Sequence, residues 1–541
     1  MTDWNFADLF ETVADVLPDA PAQRFEDRVY SWAEFDRRAD ALASDMLAAG
    51  LQKQSKVAAY LYNGPEYLES YFAAFKAALA PVNVNYRYGP GEVAYLLENA
   101  DAEAVFFHAG FAPVLDEIRG DLPKVRAWYA VEDGSPVPPW AKRYEDVATV
   151  STGRVTPPWG RSPDDLLLLY TGGTTGMPKG VMWRQDDLVN VLGAGGNPFV
   201  GAPPATNLAE LRDRLAAGQK GMSSMPACPL MHGTGQFSAF IALIGGGCVV
   251  TTSNRTFDPA VLWETVSQAR VNAVAIVGDA FARPMLAELD ANPGKYDLSS
   301  LLVINSSGVM WSQEVKDGLL RHIPQVILFD SLGSSEAVGL AASVSAGGTS
   351  ASTARFALGE GVRVLGPDDR DVEPGSGEVG VIALPGFVPV GYYKDAEKTA
   401  RTFRVVDGKR YSIPGDCATV DADGSIQLLG RGSVVINTGG EKVYPEEVEE
   451  VIKALPEVAD AVCVGLPDTR FGETVCAVVQ VEPGSEITES QIRDAVRAKL
   501  AGYKAPRTVR FVSSIGRSPA GKVDYQRLRS ESLAEVATSN H

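Results

Sequence analysis

A glycine- and threonine-rich turn is the part of the sequence best suited to phosphate chemistry. The segment LLLLYTGGTTGMPKGVMW, residues 166–183, has the pattern of an apolar strand followed by a turn that ends in Lys179. Glycines let backbone N–H groups approach phosphate oxygens, threonine hydroxyls add donors or a contact to Mg²⁺, and lysine adds positive charge. The kinase and ATPase loop requires Gly, Lys and Ser or Thr in succession, whereas a Met-Pro pair separates Gly176 from Lys179 here. The pattern predicts a phosphate-binding turn of another kind, with a purely structural turn as the alternative.

Further along the chain, several short segments carry side chains that suit the handling of a nucleotide. Each also has a simpler interpretation. The SSE at the end of DSLGSSE has equally the pattern of a helix cap followed by an acid in the first helical turn. The lone histidine of PLMHGTGQ is, taken alone, more often a structural residue. A lysine such as that in PAGK is, taken alone, usually a solvated surface charge. The segments are PLMHGTGQ (229–236), SSGVM (306–310), DSLGSSE (330–336), YSIPGD (411–416) and RSPAGKVDY (517–525).

The bulk composition restricts the class of protein. With 541 residues the chain exceeds the size of a single core, and 45% hydrophobic with 22% charged residues is typical of globular proteins. A formal charge of -19 argues against a nucleic-acid partner, so a phosphate-bearing ligand needs a locally positive pocket. Four histidines and five scattered cysteines leave few ligands for a His-rich metal site, few bases for a Ser/His/Asp triad and no disulfide pattern.

The ends of the chain and its apolar runs bear on location. The first residues, MTDWNFADLF, carry acids where a signal peptide would carry positive charge. The longest nearly apolar run, residues 239–250, is too short to span a bilayer. We therefore expect a cytoplasmic, soluble protein with no transmembrane segment.

The elements that must position these side chains follow from hydrophobic periodicity. Helical patterns alternate with short apolar runs from Tyr30 to about Phe107, and the same alternation returns between about residues 249 and 331. This is the rhythm of βα sheets, in which ligands bind at strand ends. After about Gly347 the texture changes to short strands and turns, which predicts a small β unit.

Beyond Arg431 the pattern predicts a separate α+β unit. We expect an α/β protein with a large N-terminal domain, residues 1–431, made of two αβ-layered sheets plus a small β-barrel-like unit. A small α+β C-terminal domain, residues 432–541, should follow. The boundary is predicted where the pair of Gly432 and Ser433 interrupts two apolar strand-like runs.

Taken in order, these segments resemble the motifs of the adenylate-forming superfamily, which includes acyl-CoA synthetases, firefly-type luciferases and peptide-synthetase adenylation domains. The resemblance covers most of the chain and includes LLGRGSVVINTGGEKVYPEEVE, residues 428–449. It implies a carboxylic acid that attacks the α-phosphorus of ATP, an acyl adenylate, and a mobile C-terminal domain. The motif set is most similar to bacterial ligases of long-chain fatty acids and sterol side-chain acids.

The resemblance also assigns the nucleotide site. Relatives often have an aromatic residue that stacks on adenine where this chain has Leu332, so adenine would pack on an aliphatic face. The ATP-binding residues that the resemblance implies are Thr171, Gly172, Gly173, Thr174, Thr175, Gly176, Lys179, Gly308, Val309, Asp330, Ser331, Leu332, Gly333, Ser334, Ser335, Asp416, Arg431 and Lys522.

Catalytic roles follow from the same similarity. Lys522 matches the lysine that reaches the substrate carboxylate and α-phosphate, and Glu336 matches the acid that holds Mg²⁺, with Thr171 as a second metal contact. Oxygen ligands of this kind suit a hard cation. Asp416 matches the acid that accepts hydrogen bonds from both ribose hydroxyls. Arg431 matches the arginine near ribose and phosphate at the domain joint.

Other matches concern the acid, coenzyme A and the hinge. His232 matches a catalytic-site residue at the entry to the acyl pocket, which shifts between the two half-reactions. Gly439, Gly440 and Lys442 match the strand along which the pantetheine arm of coenzyme A lies. The hinge position, commonly Asp or Lys, is Ser433 here, which leaves no charge to lock the two domain orientations but still allows rotation.

We therefore expect an acyl-CoA synthetase, an AMP-forming acid–thiol ligase of fatty acid or lipid metabolism. ATP and coenzyme A would be its co-substrates, Mg²⁺ its metal, and a homodimer its assembly by resemblance. Two alternatives remain: an adenylating enzyme with another acceptor, such as a separate carrier protein or oxygen, and a nucleotide-binding regulatory protein on a degenerate scaffold. No carrier-domain sequence follows Lys522, which disfavours a built-in acceptor. The charged motif residues are retained, which disfavours a regulatory protein. The identity of the acid depends on side chains that only folding brings together, and residues 185–227 carry no readable chemistry.

Overall fold

In the part of the chain that it describes, the computed structural model of the protein contains three β-sheets flanked by helices. Only the backbone is described for Arg431, Asn437, Glu441, Lys442, Gly472 and residues 536–539. The described residues are 3–171, 177–197, 201–309, 311–347, 350–431, 435–438, 441–468, 471–500, 502–518 and 523–539.

Strands occur along the whole chain. They are, in chain order, β1 (Pro21–Phe25), β2 (Arg28–Ser31), β3 (Lys56–Tyr60), β4 (Ala80–Asn83), β5 (Ala102–His108), β6 (Ala127–Val131), β7 (Lys142–Arg143), β8 (Leu166–Thr171), β9 (Lys179–Arg184), β10 (Ser223–Pro226), β11 (Cys248–Thr251), β12 (Ala273–Ile276), β13 (Val303–Ser307), β14 (Ile327–Ser334), β15 (Ala337–Ser345), β16 (Arg355–Leu358), β17 (Arg363–Leu365), β18 (Gly380–Pro385), β19 (Gly391–Tyr392), β20 (Phe403–Val406), β21 (Lys409–Ser412), β22 (Asp416–Val420), β23 (Ile426–Arg431), β24 (Ile436–Thr438), β25 (Glu441–Val443), β26 (Val458–Asp468), β27 (Gly472–Val481) and β28 (Thr508–Val512).

Helices connect many of these strands, chiefly those before β15. They are α1 (Phe6–Val16), α2 (Trp32–Ala48), α3 (Pro65–Lys76), α4 (Pro90–Asn99), α5 (Ala112–Ile118), α6 (Tyr144–Ala148), α7 (Gln185–Val191), α8 (Leu208–Ala216), α9 (Gly233–Ile244), α10 (Pro259–Ala269), α11 (Asp279–Ala291), α12 (Gln313–His322), α13 (Ala396–Thr402), α14 (Pro445–Lys453), α15 (Glu489–Lys499) and α16 (Tyr525–Ser539).

The first sheet has an antiparallel edge strand, β2, then parallel strands, and then antiparallel ones. Its order is β2-β1-β11-β10-β12-β13-β14-β15-β16-β23-β22-β18-β21-β20, with β17 paired to β18. The neighbouring strands β1, β11, β10, β12, β13 and β14 run parallel, so their carboxyl ends lie on one edge of the sheet. The short antiparallel strands from β16 onward correspond to the predicted small β unit, which is joined to the sheet through the pairing of β15 with β16.

The second sheet contains the predicted phosphate turn. Its order is β19-β9-β8-β4-β3-β5-β6-β7. Strands β8 and β9 form an antiparallel hairpin in which Thr171 pairs with Lys179, while β8 runs parallel to β4. Strand β8 therefore ends, at Thr171, on the same edge of the sheet as the carboxyl ends of β4 and β3.

Helices from both sheets share one core. The rings of Phe6 in α1, Phe75 in α3 and Phe240 in α9 lie within 4.8 to 6.1 Å of one another. Asn5 caps the N-terminus of helix α1: its side chain accepts the backbone N–H of Asp8 and so satisfies a donor that the helix cannot pair internally. Helix α1 is mostly buried and packs against both α3 and α9, so it joins helices that flank the two sheets.

The third sheet, with order β25-β24-β27-β26 and β28 parallel to β27, forms a separate α+β unit with α14, α15 and α16. Its own core includes Ile436, Val448 and Ile452. Tyr444, just before α14, packs against Cys417 and Leu429 of the first sheet, which links this unit to the larger part. The predicted boundary at residues 432–433 lies outside the described residues and stays a prediction.

Two further predictions concern regions without assigned chemistry. Residues 185–227 form α7, α8 and β10, with residues 198–200 outside the description, so much of this segment is regular structure. Among the helices of the described part, none combines the length and the hydropathy required to cross a lipid bilayer.

Candidate active site

The phosphate turn is held at its two ends by the β8–β9 hairpin. Thr171 ends β8 and Lys179 begins β9, directly opposite each other. Tyr170 packs its ring on Gly180, where a Cβ atom would come within 2.6 Å of the ring, so only glycine fits there. The predicted ATP-binding residues of the turn itself lie outside the described residues: Gly172, Gly173, Thr174, Thr175 and Gly176.

Lys179 forms an ion pair with Asp395, the residue that caps the N-terminus of α13. Asp395 Oδ1 accepts the backbone N–H of Lys398 at 2.9 Å, while Oδ2 accepts the Lys179 ammonium. The hydrogen bond from Lys179 is the main cause that lowers the pKa of the Asp395 carboxyl, so this acid stays ionised. The predicted phosphate-binding lysine thus faces an anion that the protein itself supplies.

Glu336, the predicted metal ligand, is buried and held by several elements. Its Oε1 accepts the hydroxyl of Tyr392 in β19 at 2.7 Å, and its backbone carbonyl accepts the hydroxyl of Ser412 in β21 at 2.7 Å. Trp183 of β9 donates its indole N–H to the carbonyl of Ser335 at 3.0 Å. These bonds orient a carboxylate beside the phosphate hairpin, although the sequence places it more than 150 residues away from Trp183.

Strand pairing brings Glu336 close to Thr171 and Lys179, the two residues that flank the phosphate turn. Tyr392 pairs with Val181, two residues beyond Lys179 on β9, and its hydroxyl reaches Glu336. Thr171 lies on the next strand, about 4.8 Å from Lys179 across the hairpin. The predicted metal contacts and the predicted phosphate lysine are therefore neighbours around β8, β9 and β19. Within the described residues, no group of three or more His, Cys, Asp or Glu side chains could hold a metal ion by itself.

The predicted nucleotide motifs lie at neighbouring strand ends of the first sheet. Ser307 at the end of β13 pairs with Ser331 of β14, and Gly308 follows with a φ of +91°, a conformation that favours glycine. A register shift between Leu332 and Ser334 interrupts the β14–β15 ladder in the middle of DSLGSSE. Ser331, Gly333, Ser334 and Ser335 are half-buried, as is Val309, so this edge is partly accessible to solvent.

Two residues of this motif have contacts that the sequence did not predict. The carboxylate of Asp330 is buried and pairs with the buried ammonium of Lys316 on α12 at 2.9 Å. Leu332 packs against the core of the antiparallel strands, beside Ala337 and Leu340. The side chain of Asp330 is therefore already neutralised by the protein, and a nucleotide would meet its backbone rather than its charge.

Asp416 and Arg431 face each other across two strands. Asp416 is buried at the start of β22 and pairs with Arg431 at the end of β23. The side chain of Arg431 lies outside the described part of the structure. The backbone register thus agrees with a shared site for the two residues, next to the start of the C-terminal unit.

His232 precedes α9 as its N-cap residue and is half-buried. The turn that carries it is tied to the phosphate strand by Asn83 of β4, which the sequence analysis did not identify. The Asn83 amide donates to the carbonyls of Met231 at 2.6 Å and Tyr170 at 2.8 Å, and its Oδ1 accepts the backbone N–H of Tyr170 at 2.6 Å. The sequence feature that could have indicated Asn83 is its position as the single polar residue at the end of the otherwise apolar strand APVN.

A second set of missed residues lines a cleft between the carboxyl ends of strands from both sheets. The rings of Tyr62 and Tyr86, which follow β3 and β4, lie 4.7 Å apart. The guanidinium of Arg255 lies 4.5 Å from the Tyr62 ring, and that of Arg87 lies 5.6 Å from the Tyr86 ring. Aromatic rings with adjacent guanidinium groups favour a flat or phosphorylated ligand. The position of these residues just after predicted strands could have indicated them.

The remaining predicted positions are not described. Ser433, Gly439, Gly440 and Lys522 lie outside the described residues, and Lys442 in β25 is described by its backbone alone. Their predicted roles at the hinge, with coenzyme A and in adenylation stay predictions.

Two family profiles match the chain. That of the AMP-binding enzymes matches residues 10–393, and that of the AMP-binding enzyme C-terminal domain matches residues 447–522. A medium/long-chain-fatty-acid–CoA/3-oxocholest-4-en-26-oate–CoA ligase of Mycobacterium tuberculosis is 41% identical over 549 residues, which covers 99% of this chain and 98% of the relative. A 3-oxocholest-4-en-26-oate–CoA ligase of Rhodococcus rhodochrous is 41% identical over 533 residues, covering 96% and 95% respectively.

Solved structures have the same architecture. The anthranilate CoA ligase AuaEII in complex with anthranoyl-AMP superposes with a TM-score of 0.83 at 21% identity, over 99% of each chain. ATP-bound MatB from Rhodopseudomonas palustris superposes with a TM-score of 0.79 at 26% identity, over 98% of this chain and 99% of that one. The predicted α/β fold, with a large N-terminal part and a small α+β C-terminal unit, is confirmed.

Proposed function

We propose, from the premise that the chain belongs to the family of AMP-binding enzymes, that it carries out the two-step reaction of an acyl-CoA ligase. A carboxylic acid and ATP first give an acyl adenylate and pyrophosphate, and the thiol of coenzyme A then takes the acyl group while AMP leaves. The carrying observation is 41% identity over almost the whole chain with relatives that are named CoA ligases. These relatives confirm the predicted reaction class and do not favour the alternative of a separate carrier protein as acceptor.

The acid is proposed to be apolar, in the class of medium- to long-chain fatty acids or sterol side-chain acids. Both relatives are named for acids of this class. In this chain the turn before His232 buries Pro229, Leu230 and Met231, and α9 behind it is apolar. A carboxylate that enters past His232 would therefore leave an apolar body against apolar walls, which stabilises binding by removing that surface from water.

Adenylation requires that a carboxylate and a triphosphate, both anions, be brought together while pyrophosphate leaves. Lys179 is proposed to bind the β- and γ-phosphates at the end of the phosphate turn, whose glycines and threonines would supply further donors. Lys522 is proposed to reach the carboxylate and the α-phosphate from the C-terminal domain. Each lysine lowers the repulsion between the anions and so stabilises the transition state more than the separated substrates.

Glu336 and Thr171 are proposed to hold Mg²⁺ with the phosphates. A buried carboxylate held by the Tyr392 hydroxyl, with a threonine hydroxyl on the neighbouring hairpin, is a hard oxygen donor set that leaves other positions for phosphate oxygens and water. The ion would neutralise phosphate charge and align the triphosphate. The protein would fix the orientation of the Glu336 carboxylate through the hydroxyl of Tyr392 in β19.

The rest of the nucleotide is proposed to lie along the first sheet. Asp416 suits the two ribose hydroxyls, since a carboxylate has two oxygens that accept, and Arg431 opposite it suits ribose and phosphate. Adenine would lie between the strand end at Gly308 and the backbone around Leu332, where the half-buried edge of DSLGSSE is open.

The second step is proposed to follow rotation of the C-terminal domain about Ser433. Rotation would remove Lys522 and bring the strand of Gly439, Gly440 and Lys442 to the adenylate, along which the pantetheine arm would lie. Arg255 donates one N–H to Asp133 at 3.1 Å, so its other N–H groups and the Arg87 guanidinium are proposed to bind the phosphates of coenzyme A. A cytoplasmic location and a homodimer complete the proposal.

The proposal is tested by measuring pyrophosphate release and coenzyme A consumption with short, medium, long, aromatic and steroid acids. We expect release that depends on the acid, with apolar long or steroid acids giving the highest kcat/KM, and consumption of one coenzyme A per pyrophosphate. Pyrophosphate release without coenzyme A consumption would favour another acceptor. The absence of AMP formation with every acid would refute the proposed function.

A further inference from the structure

We propose that Asp395 binds the Lys179 ammonium in place of a phosphate when no nucleotide is present. Lys179 then moves from Asp395 to the phosphates when ATP binds, and it returns to Asp395 when pyrophosphate leaves. This inference rests on the proposed function, because it takes Lys179 to be a phosphate ligand. Asp395 is a positioning residue: it acts through Lys179 and touches no substrate.

The pair is placed where an incoming phosphate would compete for it. Lys179 is the first residue of β9 after the phosphate turn, and its ammonium is bound to a carboxylate oxygen of Asp395. The Lys179 side chain is 37% exposed, so an incoming phosphate can reach the ammonium from the solvent. A carboxylate and a phosphate present the same kind of acceptor oxygen to an ammonium group, which makes one a chemical substitute for the other.

Asp395 is held by several hydrogen bonds, whereas the side chain of Lys179 is long and flexible. The backbone carbonyl of Asp395 accepts the Thr399 hydroxyl at 2.6 Å, and its Oδ1 caps α13 through Lys398. Two residues earlier, Tyr393 donates its backbone N–H to the carbonyl of Gly180 at 2.8 Å, which ties the segment to β9. Lysine has a flexible four-carbon stem, so exchange moves the lysine and leaves the acid in place.

The same short segment contacts both side chains that are proposed to handle the triphosphate. Tyr392 bonds to Glu336 and Asp395 bonds to Lys179, three residues apart. Before ATP binds, the segment therefore holds the proposed metal acid and the proposed phosphate lysine at one corner. ATP must displace Asp395 from Lys179, which lowers the affinity for ATP. The same competition draws Lys179 away from pyrophosphate and so speeds the release of pyrophosphate.

Asp395→Asn separates the two functions of this side chain. Asparagine retains an oxygen for the N-cap bond to Lys398 but loses the charge that faces Lys179. We expect the Kd of ATP and the inhibition constant of pyrophosphate to fall together, by about two- to fivefold, the factor that a half-exposed ion pair of ordinary strength would contribute. The kcat should stay the same or fall, since the loss of the competitor slows pyrophosphate release. Asp395→Ser, which also caps a helix, provides a second variant whose Tm is compared with that of the wild type.

Glu397→Gln is the matched control. Glu397 lies two residues further on the same helix, is exposed, and pairs only loosely with Arg401 at 3.4 Å. Its neutralisation changes the net charge by the same amount, so it measures the general effect of removing a negative charge near ATP. The effect of Asp395→Asn should exceed that of Glu397→Gln and should disappear in a Lys179→Ala background.

Other results overturn the exchange. An Asp395→Asn enzyme with unchanged ATP and pyrophosphate affinities refutes it, and so does an effect that equals that of Glu397→Gln or persists without Lys179. If Lys179→Ala leaves ATP affinity unchanged, the phosphate role of Lys179 and the exchange both fail, while acid-dependent AMP formation by the wild type would leave the ligase function standing.

Discussion

The hydrogen bond between Tyr392 and Glu336 allows a direct test of how the proposed metal ligand is held. Tyr392→Phe removes only the hydroxyl that donates to Glu336 Oε1 at 2.7 Å. The ring stays, and with it the packing on Phe403 at a centroid distance of 5.8 Å and the contact with the Lys398 ammonium at 4.2 Å from the ring centre. The change therefore acts on the orientation of the carboxylate rather than on the fold around it.

The expected magnitude follows from the burial and charge of the pair. A hydrogen bond to a charged group contributes about 1.5 to 3 kcal/mol, which corresponds to a factor of roughly 10 to 150 in an equilibrium constant. Outer-shell partners of metal ligands change metal affinity by about 10- to 100-fold, a similar range. We expect the Mg²⁺ concentration for half-maximal activity to rise by about 10- to 100-fold, with much of kcat recovered at saturating Mg²⁺, because Glu336 itself is intact.

The assay is acid-dependent exchange of pyrophosphate into ATP, titrated with Mg²⁺. Tyr393→Phe is the matched control, since the neighbouring tyrosine donates to the carboxylate of Asp101, also at 2.7 Å, and not to Glu336. It should leave the Mg²⁺ requirement unchanged. An unchanged or lower Mg²⁺ requirement in Tyr392→Phe, with Tm near that of the wild type, would show that Glu336 does not depend on this bond or does not bind the metal.

Three further predictions concern the other half of the mechanism and the stability of the scaffold. Lys522→Ala should abolish acid-dependent pyrophosphate exchange yet keep much of the thioester step from supplied acyl adenylate; equal loss of both half-reactions would count against domain exchange. Burial, and next the charge of Glu69, raise the pKa of Glu66 to about 7 in the folded protein, so its ionisation destabilises the fold as pH rises from about 4.5 to 7. Glu66→Gln should therefore raise the Tm more at pH 8 than at pH 5. In unfolding free energy the difference is at most about 3 kcal/mol, and it is smaller to the extent that water screens this half-buried group. Equal Tm shifts at the two pH values would contradict this. Asn83→Asp should lower stability by about 3 kcal/mol in denaturant unfolding, because a carboxylate oxygen would face the carbonyls of Tyr170 and Met231, whereas a loss below about 1 kcal/mol would mean that the turn adjusts.

Much of the fold was predictable because periodicity is a local property. The apolar run at residues 166–170 and the change to short strands after residue 347 follow from side-chain alternation and turn residues, and the structure has β8 and the antiparallel strands there. The order of the motifs predicted the family, which the profile matches confirm. Exact element ends and the regular structure within residues 185–227 were not predicted, because tertiary packing overrides weak local preferences.

The partners of the charged side chains were not predictable in the same way. Lys179 and Asp395 are 216 positions apart, and nothing in the spacing of either pairs them. Asp330 was predicted to serve the nucleotide, but its carboxylate is neutralised by Lys316 inside the protein. Asn83 was overlooked because a single polar residue in an apolar strand has no periodic signal.

By itself, the sequence determined which residue types could handle phosphate, where strands and helices would form around them, and to which family the chain belongs. The tertiary structure alone decided what each charge does. Lys76 and Lys179 are equivalent as letters, yet Lys76 is fully buried among Glu11, Asp36 and Asp40 at 2.7 to 2.8 Å, whereas Lys179 remains 37% exposed beside the phosphate turn. The reason is physical: the energy of a charge depends on its distance from water and from other charges, and for residues far apart in the chain those distances exist only after folding.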